Sequence, residues 1–190
     1  MNPEHGVPIR RQVRYGVRPI LYQRNSLNLP QTLISGYRFD GALKICWKPH
    51  PERDFAFEAI FELDHPAFAQ FRSGKPPLHI HPHQEEYIQV LEGALALEVE
   101  GVEHVVRPED GEFLVEPWKI HRLYTLPPPG AGDPPSTDSN TVRFYASGEK
   151  TAEMFNMDIL FFENWYRYQD EIIRNKKSID ITQAMSVGLA

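Results

Sequence analysis

The 190-residue sequence predicts an all-β fold, a sandwich or barrel of short antiparallel strands. From about residue 33 the chain is a series of short apolar runs, and most of these runs are bounded by Gly, Pro, Asp or Asn. The 17 prolines fall between the runs, which is typical of a β-rich chain with punctuated loops rather than of a helical bundle. The length suits one domain with a sizeable core.

Residues 1–32 are predicted to form an N-terminal arm, because Arg, Pro and Asn interrupt its short apolar pieces. Its four arginines in RRQVRYGVR indicate a solvated or subunit-contacting segment rather than a phosphate site. The opening MNPEHGVPIRR has no apolar core, so no signal peptide is expected there.

Residues 33–150 are predicted to form the barrel. Two connections, Glu92-Gly93 and Glu100-Gly101, are predicted hairpin turns, because glycine adopts the positive φ that such turns need. The Pro/Gly/Ser-rich stretch Leu126–Asn140 is predicted to be a long inserted loop, with a lid as the alternative. The strand candidates are TLISGYRF, ALKICWK, FAFEAIFEL, EEYIQVLE, ALALEVE, EHVVRP, EFLVEP, IHRLYTL and TVRFYAS.

Residues 151–190 are predicted to form a C-terminal helical extension that packs on the barrel or faces a second subunit. Asp180 followed by Gln183 resembles a capping box that opens a last short helix. The beginning of the main helix stays open, because MDILFF also fits a strand. Apolar residues spaced by three and four mark the helix: Met154, Met157, Phe161, Trp165, Tyr168 and Ile172.

Composition narrows the classes of partner. The formal net charge of −6 argues against a nucleic acid or an anionic membrane as the main partner. No apolar run approaches the roughly 18 residues that a membrane-spanning helix needs. Cys46 is the single cysteine, which excludes an internal disulfide and favours a reducing, cytoplasmic location.

Three histidines alternate in PPLHIHPHQEEYIQVLEG. Residues i and i+2 of a strand point to one face about 7 Å apart, so His79 and His81 project together. His83 would join them if the strand continued past Pro82. Imidazoles side by side on one face are able to share a metal ion.

Strand alternation places the two adjacent glutamates on opposite faces of the predicted strand. Glu86 shares a face with Ile88 and Val90, so this face is predicted to point inward. A lone buried carboxylate is costly unless a cation or metal pairs with it. Glu85 shares the other face with Tyr87 and is predicted to be solvated.

A further histidine, His121, begins a later strand and shares an apolar face with Leu123. Together with two histidines and a glutamate it would complete a site of three histidines and one carboxylate. That ligand set suits a divalent transition metal, namely Fe, Mn, Ni, Co or Zn.

The sequence resembles the cupin superfamily at two places. Residues Gly74–Gly93 resemble the first cupin motif, with glycine, H-x-H, four residues, glutamate, six residues and glycine. Residues Gly111–His121 resemble the second motif, although only WKI separates Pro117 from the histidine and the usual glycine is missing. The first gap, Lys75–Leu78, is one residue short. The altered turn gives Trp118 a predicted place at the pocket mouth.

The resemblance implies a small cupin-type double-stranded β-helix, or jelly-roll barrel, with an N-terminal arm and C-terminal helices. The arm and the Trp/Tyr-rich tail also resemble small single-domain cupins of fungal secondary metabolism. A homodimer is expected, because cupin barrels often pair. The metal ligands that carry over from the motifs are His79, His81, Glu86 and His121.

Three further residues, Tyr87, Arg143 and Tyr145, are candidate catalytic acids, bases or orienting groups, with ordinary packing as the alternative. No basic cluster near the motifs is available for a phosphate. The predicted pocket is apolar, which favours a hydrophobic or aromatic small-molecule substrate. Its predicted lining is Phe55, Phe57, Phe61, Ile88, Val90, Leu123 and Phe144.

Three classes of function fit such a site. The first is a metal-dependent enzyme that uses O₂ to oxidise the substrate, as a dioxygenase does. The second is a metal-dependent isomerase, cyclase or lyase, in which the ion acts as a Lewis acid without redox change. The third is a small-molecule binding module without catalysis. The sequence favours the first class, in a biosynthetic or catabolic pathway.

Overall fold

The computed structural model describes residues 36–67, 75–126, 140–153 and 156–175. Several sequence predictions therefore lie outside the described residues: the arm at 1–32, most of the loop after Leu126, Met154, and the capping box at Asp180.

The described residues form nine strands and one α-helix, together with 3₁₀ turns at Phe39–Gly41 and Pro108–Asp110. No described helix is long and apolar enough to cross a membrane. The elements are β1 Gly36–Arg38, β2 Leu43–Trp47, β3 Arg53–Glu62, β4 Glu86–Glu92, β5 Leu95–Val99, β6 Val102–Val106, β7 Glu112–Val115, β8 His121–Thr125, β9 Thr141–Glu149 and α1 Ile159–Arg174.

The strands form two antiparallel sheets. One sheet has six strands in the order β1-β2-β3-β9-β4-β7, and the other has three strands in the order β6-β5-β8. Neighbours in a sheet are mostly not neighbours in sequence, which is the pattern of a jelly roll rather than of a simple meander. The all-β prediction is confirmed.

One face of the six-stranded sheet forms the core. Phe57 of β3, Ala146 of β9 and Ile88 of β4 lie side by side in register, and all three are buried. Leu95 and Leu97 of the three-stranded sheet are buried in the same hydrophobic cluster. Alternate residues therefore line the space between the sheets, as expected where one face of each strand is buried.

The two predicted hairpins have different outcomes. Glu100 and Gly101 both have positive φ, at 52° and 79°, and join the paired strands β5 and β6, so that hairpin is confirmed. The hairpin predicted at Glu92-Gly93 is wrong, because β4 pairs with β7 and β9 whereas β5 pairs with β6 and β8. Gly93 instead carries the chain from one sheet to the other. A Cβ there would lie 2.7 Å from the Thr141 carbonyl oxygen, so only glycine fits.

The predicted C-terminal helix is present and begins at Ile159, not earlier. Asp158 caps it, since its Oδ1 accepts a hydrogen bond of 2.8 Å from the Phe161 amide. The predicted stripe describes the buried face only in part: Tyr168 is 8% exposed as predicted, but Phe162, which the stripe omitted, is equally buried. Met157 is buried as predicted, but it precedes the helix.

Candidate metal centre

The structure brings the four predicted ligands to one place. One potential ligand atom from each of His79, His81, Glu86 and His121 lies within 4.8 Å of all the others. The imidazole centroids are 5.0 Å apart for His79–His81, 4.3 Å for His79–His121 and 4.9 Å for His81–His121. Three rings and a carboxylate thus surround a common point.

Backbone pairing places these side chains. His79 and His121 exchange two amide-to-carbonyl hydrogen bonds of 2.9 Å in an isolated antiparallel bridge. The Trp118 amide donates to the His81 carbonyl oxygen at 3.0 Å, which ties the turn after β7 to the histidine segment. Glu86 is the first residue of β4, and it faces inward with Ile88 as its alternation predicts.

Two carbonyl groups orient the rings. Nδ1 of His121 lies 2.8 Å from the Lys119 carbonyl oxygen, and Nδ1 of His79 lies 3.3 Å from that of Pro77. A carbonyl only accepts, so Nδ1 carries a proton in both rings. A hydrogen bond of this kind on the far nitrogen is what metal-binding imidazoles generally have.

Glu86 is the one carboxylate among the four predicted ligands, and it is buried. Its Oε2 lies 3.1 Å from His121 Nε2 and 3.7 Å from His81 Nε2. Burial alone would raise the pKa of this carboxyl, but the hydrogen bond to His121 and the neighbouring imidazoles outweigh it and lower the pKa to about 2. Glu86 is therefore anionic at any working pH.

The pKa values of the three histidines are shifted in different directions by their surroundings. Burial lowers the pKa of His81 to about 4 and also lowers that of His79. Burial disfavours the charged form of His121 as well, but the hydrogen bond to Glu86 outweighs it and raises the pKa. His79 and His81 are thus neutral at neutral pH, the state in which imidazole binds a metal.

His81 supplies the test of whether a metal fits. Its Nε2 is buried and has no hydrogen-bond partner among the described residues. An unsatisfied buried polar atom is costly, and native structures contain few of them. A divalent ion among three imidazole nitrogens and a carboxylate would satisfy it and would neutralise the buried charge of Glu86. The residues present therefore fit a divalent metal.

The neighbouring His83 and Glu85 stay outside this group. His83 is exposed, and its ring lies edge-on to Trp118 at 5.8 Å. Trp118 is 63% exposed and has a φ of 65°, which follows from the short turn before His121. Glu85 points to the opposite face as predicted, but it is half-buried rather than solvated, since it accepts a hydrogen bond from the Tyr87 hydroxyl.

The structure does not bring the three catalytic candidates to the cluster. Tyr87 alternates with Glu86 and so faces the outer side of the sheet, where the Arg53 guanidinium lies 3.4 Å from its ring centroid. Tyr145 and Arg143 alternate with buried residues of β9 and face the same side. Arg143 pairs there with Glu58 at 3.3 Å. Each of them packs on the outer face.

The inner face carries the predicted apolar lining, and most of it is fully buried. Of that set, Phe61 and Leu123 are only half-buried. The lining predicted from the sequence omits two aromatic residues of α1, Phe162 and Tyr166, which lie against Phe55 and Phe57. Their spacing of four residues is itself a helical signal in the sequence, one residue along from the predicted stripe.

The fold and the cluster together define a metal-binding β-barrel, and the comparisons give the family. Residues 72–127 match the family model described as Cupin domain, so the chain contains a cupin domain.

Curated relatives come from fungi. An oxidoreductase of Arthrobotrys oligospora is 36% identical over 149 residues, which cover 77% of this chain and 56% of the relative. An epoxidase of Aspergillus terreus is 30% identical over 139 residues, which cover 73% of this chain and 38% of the relative. The chain thus spans about half, or less, of the length of these relatives. A solved RmlC-like cupin of Shewanella frigidimarina aligns with a TM-score of 0.41 and 19% identity, over 71% of this chain and 97% of that one.

Proposed function

We propose that the protein is a metal-dependent oxidoreductase of the dioxygenase type, acting on a hydrophobic or aromatic small molecule. The observation that carries the proposal is the orphaned, buried His81 Nε2 inside the group of three histidines and one glutamate. Fungal relatives named as oxidoreductases and as an epoxidase support redox chemistry. The fungal origin of these relatives fits the resemblance to small cupins of fungal secondary metabolism, and so supports a role in a natural-product pathway.

His79, His81, Glu86 and His121 would hold the ion, and a bound redox-active metal would pass electrons from the organic substrate to dioxygen. Both oxygen atoms enter the product in a dioxygenation, so no external reductant is needed. Glu86 contributes the single negative charge that offsets a dication. The two Nδ1–H···O=C contacts keep His79 and His121 pointing inward.

Substrate selection would come from the inner face. Phe55 and Phe57 are buried on the inner face, and Phe55 lies across Gly148 from Glu86, so an apolar surface adjoins the cluster. An apolar site strengthens every polar interaction within it, and it holds a flat or apolar molecule by burial.

Non-redox isomerisation, cyclisation or elimination is the second candidate. The observation that favours it is the ligand set itself, because three imidazoles and a carboxylate also suit Zn²⁺, which has no redox chemistry.

The experiment loads the metal-free protein separately with Fe(II), Mn(II) and Zn(II) and incubates each form with a panel of apolar aromatic compounds. Mass spectrometry then compares reactions under air with reactions under argon. A product heavier by two oxygen atoms, formed only under air and only with a redox-active metal, is expected. A product of unchanged mass that also forms under argon with Zn(II) would establish the second candidate instead.

A further inference from the structure

A buried glutamine lies inside the segment that carries two of the predicted metal ligands. Gln84 stands between His81 and Glu86 in the sequence, and its residue surface is only 1% exposed. It belongs to no strand, because β4 begins two residues later. Glutamine is mostly an exposed residue type, and a buried amide is costly unless its polar atoms are bonded. Its burial therefore has to be explained by the contacts of the side-chain amide.

The amide of Gln84 bonds three backbone groups. Its Nε2 donates to the carbonyl oxygen of Glu149 at 2.9 Å and to that of Met157 at 3.0 Å. Its Oε1 accepts a hydrogen bond of 2.7 Å from the Met157 amide. A carbonyl only accepts and a backbone N–H only donates, so a single orientation of the side-chain amide satisfies all three groups. We call this arrangement the Gln84 clasp.

The Gln84 clasp joins three parts of the fold. Glu149 is the last residue of β9, and its amide donates to the Glu85 carbonyl oxygen at 2.9 Å. Met157 precedes α1 by two residues and is buried in the hydrophobic core. The ligand segment, the end of β9 and the lead-in to α1 therefore meet at one side chain.

Beyond the clasp, the lead-in continues directly into the packed helix. Asp158 follows Met157 and caps α1 through the Phe161 amide. The Phe162 ring, one residue further, lies 4.4 Å from the Phe55 ring, centroid to centroid. The clasp thus sets the ligand segment against the part of α1 that is packed into the core.

The ligand segment is sensitive to small displacements. His81 Nε2 and Glu86 Oε2 are 3.7 Å apart, and these two donors lie on either side of Gln84 in the sequence. Zinc binds imidazole nitrogen and carboxylate oxygen at about 2.0–2.2 Å, so both donors have to stand at defined places around one ion. A shift of the backbone at Gln84 would move one donor relative to the other.

We propose that Gln84 is a positioning residue, which holds the His81–Glu86 segment in the arrangement that binds a divalent ion and so couples metal binding to the seating of α1. This inference rests on the metal centre of the proposed function, and it adds the C-terminal helix to the elements that determine metal affinity. Coupling between two sites is reciprocal. Metal binding therefore stabilises the lead-in to α1 by as much as the clasp strengthens metal binding.

Matched methionine variants test the clasp. Gln84→Met keeps the length of the side chain and removes its three hydrogen bonds, and Gln89→Met makes the same change on the outer face of β4. Titration calorimetry with Zn(II) should show an affinity at least about 5-fold weaker for Gln84→Met, the low end of usual coupling between sites. Gln89→Met should stay within about twofold of the wild type. The visible absorption bands of bound Co(II), which report ligand geometry, should change only in Gln84→Met.

Hydrogen exchange of the wild type tests the same coupling without any variant. Zn(II) should slow exchange of the Met157 amide more than exchange of the Leu63 amide, which donates to the Asn140 carbonyl oxygen at 2.8 Å beyond the other end of β9. The comparison removes the general stabilisation that any bound ligand gives the fold.

Two results would overturn the assignment and leave the metal centre intact. One is equal slowing at both amides. The other is a folded Gln84→Met protein with wild-type Zn(II) affinity and Co(II) bands, as expected if the glutamine only supports the fold and its loss lowers metal-free stability alone. A wild type that binds no Zn(II) would overturn this inference together with the metal centre. None of these readouts requires turnover, so they are independent of the air-against-argon experiment.

Discussion

Replacing Glu86 by glutamine separates a metal ligand from an ordinary buried acid. The change keeps the shape and removes the charge, and the amide can still accept a hydrogen bond from His121, 3.1 Å away in the native structure. Changes to groups that merely orient ligands cost about 10- to 100-fold in metal affinity. Loss of the one anionic ligand should cost more, so we expect at least about a 100-fold loss, or about 2.7 kcal/mol.

The neighbouring residue supplies the matched control. Glu85→Gln removes the same charge one residue away, but from the opposite face of the strand. Isothermal titration with Zn(II) and Mn(II) measures the affinities of wild type and both variants, and the retained metal is quantified after dialysis. Urea unfolding of the metal-free forms checks that each variant still folds.

The expected pattern is a large loss for Glu86→Gln and a change of less than about threefold for Glu85→Gln. Equal losses in the two variants would mean that the ion responds only to the general negative potential of the region. Retention of wild-type affinity by a folded Glu86→Gln protein would refute the assignment of Glu86 as a ligand.

Three other predictions concern packing, protonation and ligand choice. Gly148→Ala forces a Cβ against the buried Phe55 ring, so urea unfolding should show a loss of about 1–3 kcal/mol, whereas Gly36→Ala, whose Cβ would lie 3.2 Å from a guanidinium nitrogen of Arg38, should cost clearly less. Because burial lowers the pKa of His81 to about 4, the unfolded state of the metal-free protein binds that proton first as the pH falls. The stability that neutral His81 contributes is therefore lost as the pH falls from about 6.5 to about 4. Over this range the urea midpoint should decline less steeply for His81→Ala than for the wild type. His83→Ala should keep wild-type Zn(II) affinity by titration calorimetry, and a loss above tenfold would make His83 a ligand.

Strand alternation was the most informative sequence signal for the site. It separated Glu86 from Glu85 without any family knowledge, because one face of β4 is buried and a shift of one residue would turn the carboxylate outward. The same rule, applied to Tyr87, places it on the outer face together with Glu85, and the structure agrees. The same rule applies to β9, where Phe144 faces inward and the alternating Arg143 and Tyr145 therefore face outward.

The errors have a common physical origin in long-range pairing. The Glu92-Gly93 dipeptide correctly indicated a sharp change of chain direction. A turn residue does not, however, determine which strand the following strand pairs with. The helix was recognised from its spacing, and Tyr168 is buried as predicted, yet Phe162 was left out of the stripe because so many aromatic residues are adjacent in this segment. Phe162 points inward because Phe55 and Phe57 provide a surface for it, and that surface exists only once β3 is in place.

The location of the cluster connects ligand binding with the stability of the fold. Glu86 begins a strand of the six-stranded sheet, whereas His121 begins a strand of the three-stranded sheet and pairs with His79. An ion held by all of them would link the two sheets at one point. A ligand bound only by the native state stabilises it by about 2.7 kcal/mol at a concentration 100 times its dissociation constant. Variants of any of these residues will therefore lose stability in the presence of metal even if their metal-free forms are intact. A loss of activity in such variants identifies a ligand only when metal occupancy and metal-free stability are measured together.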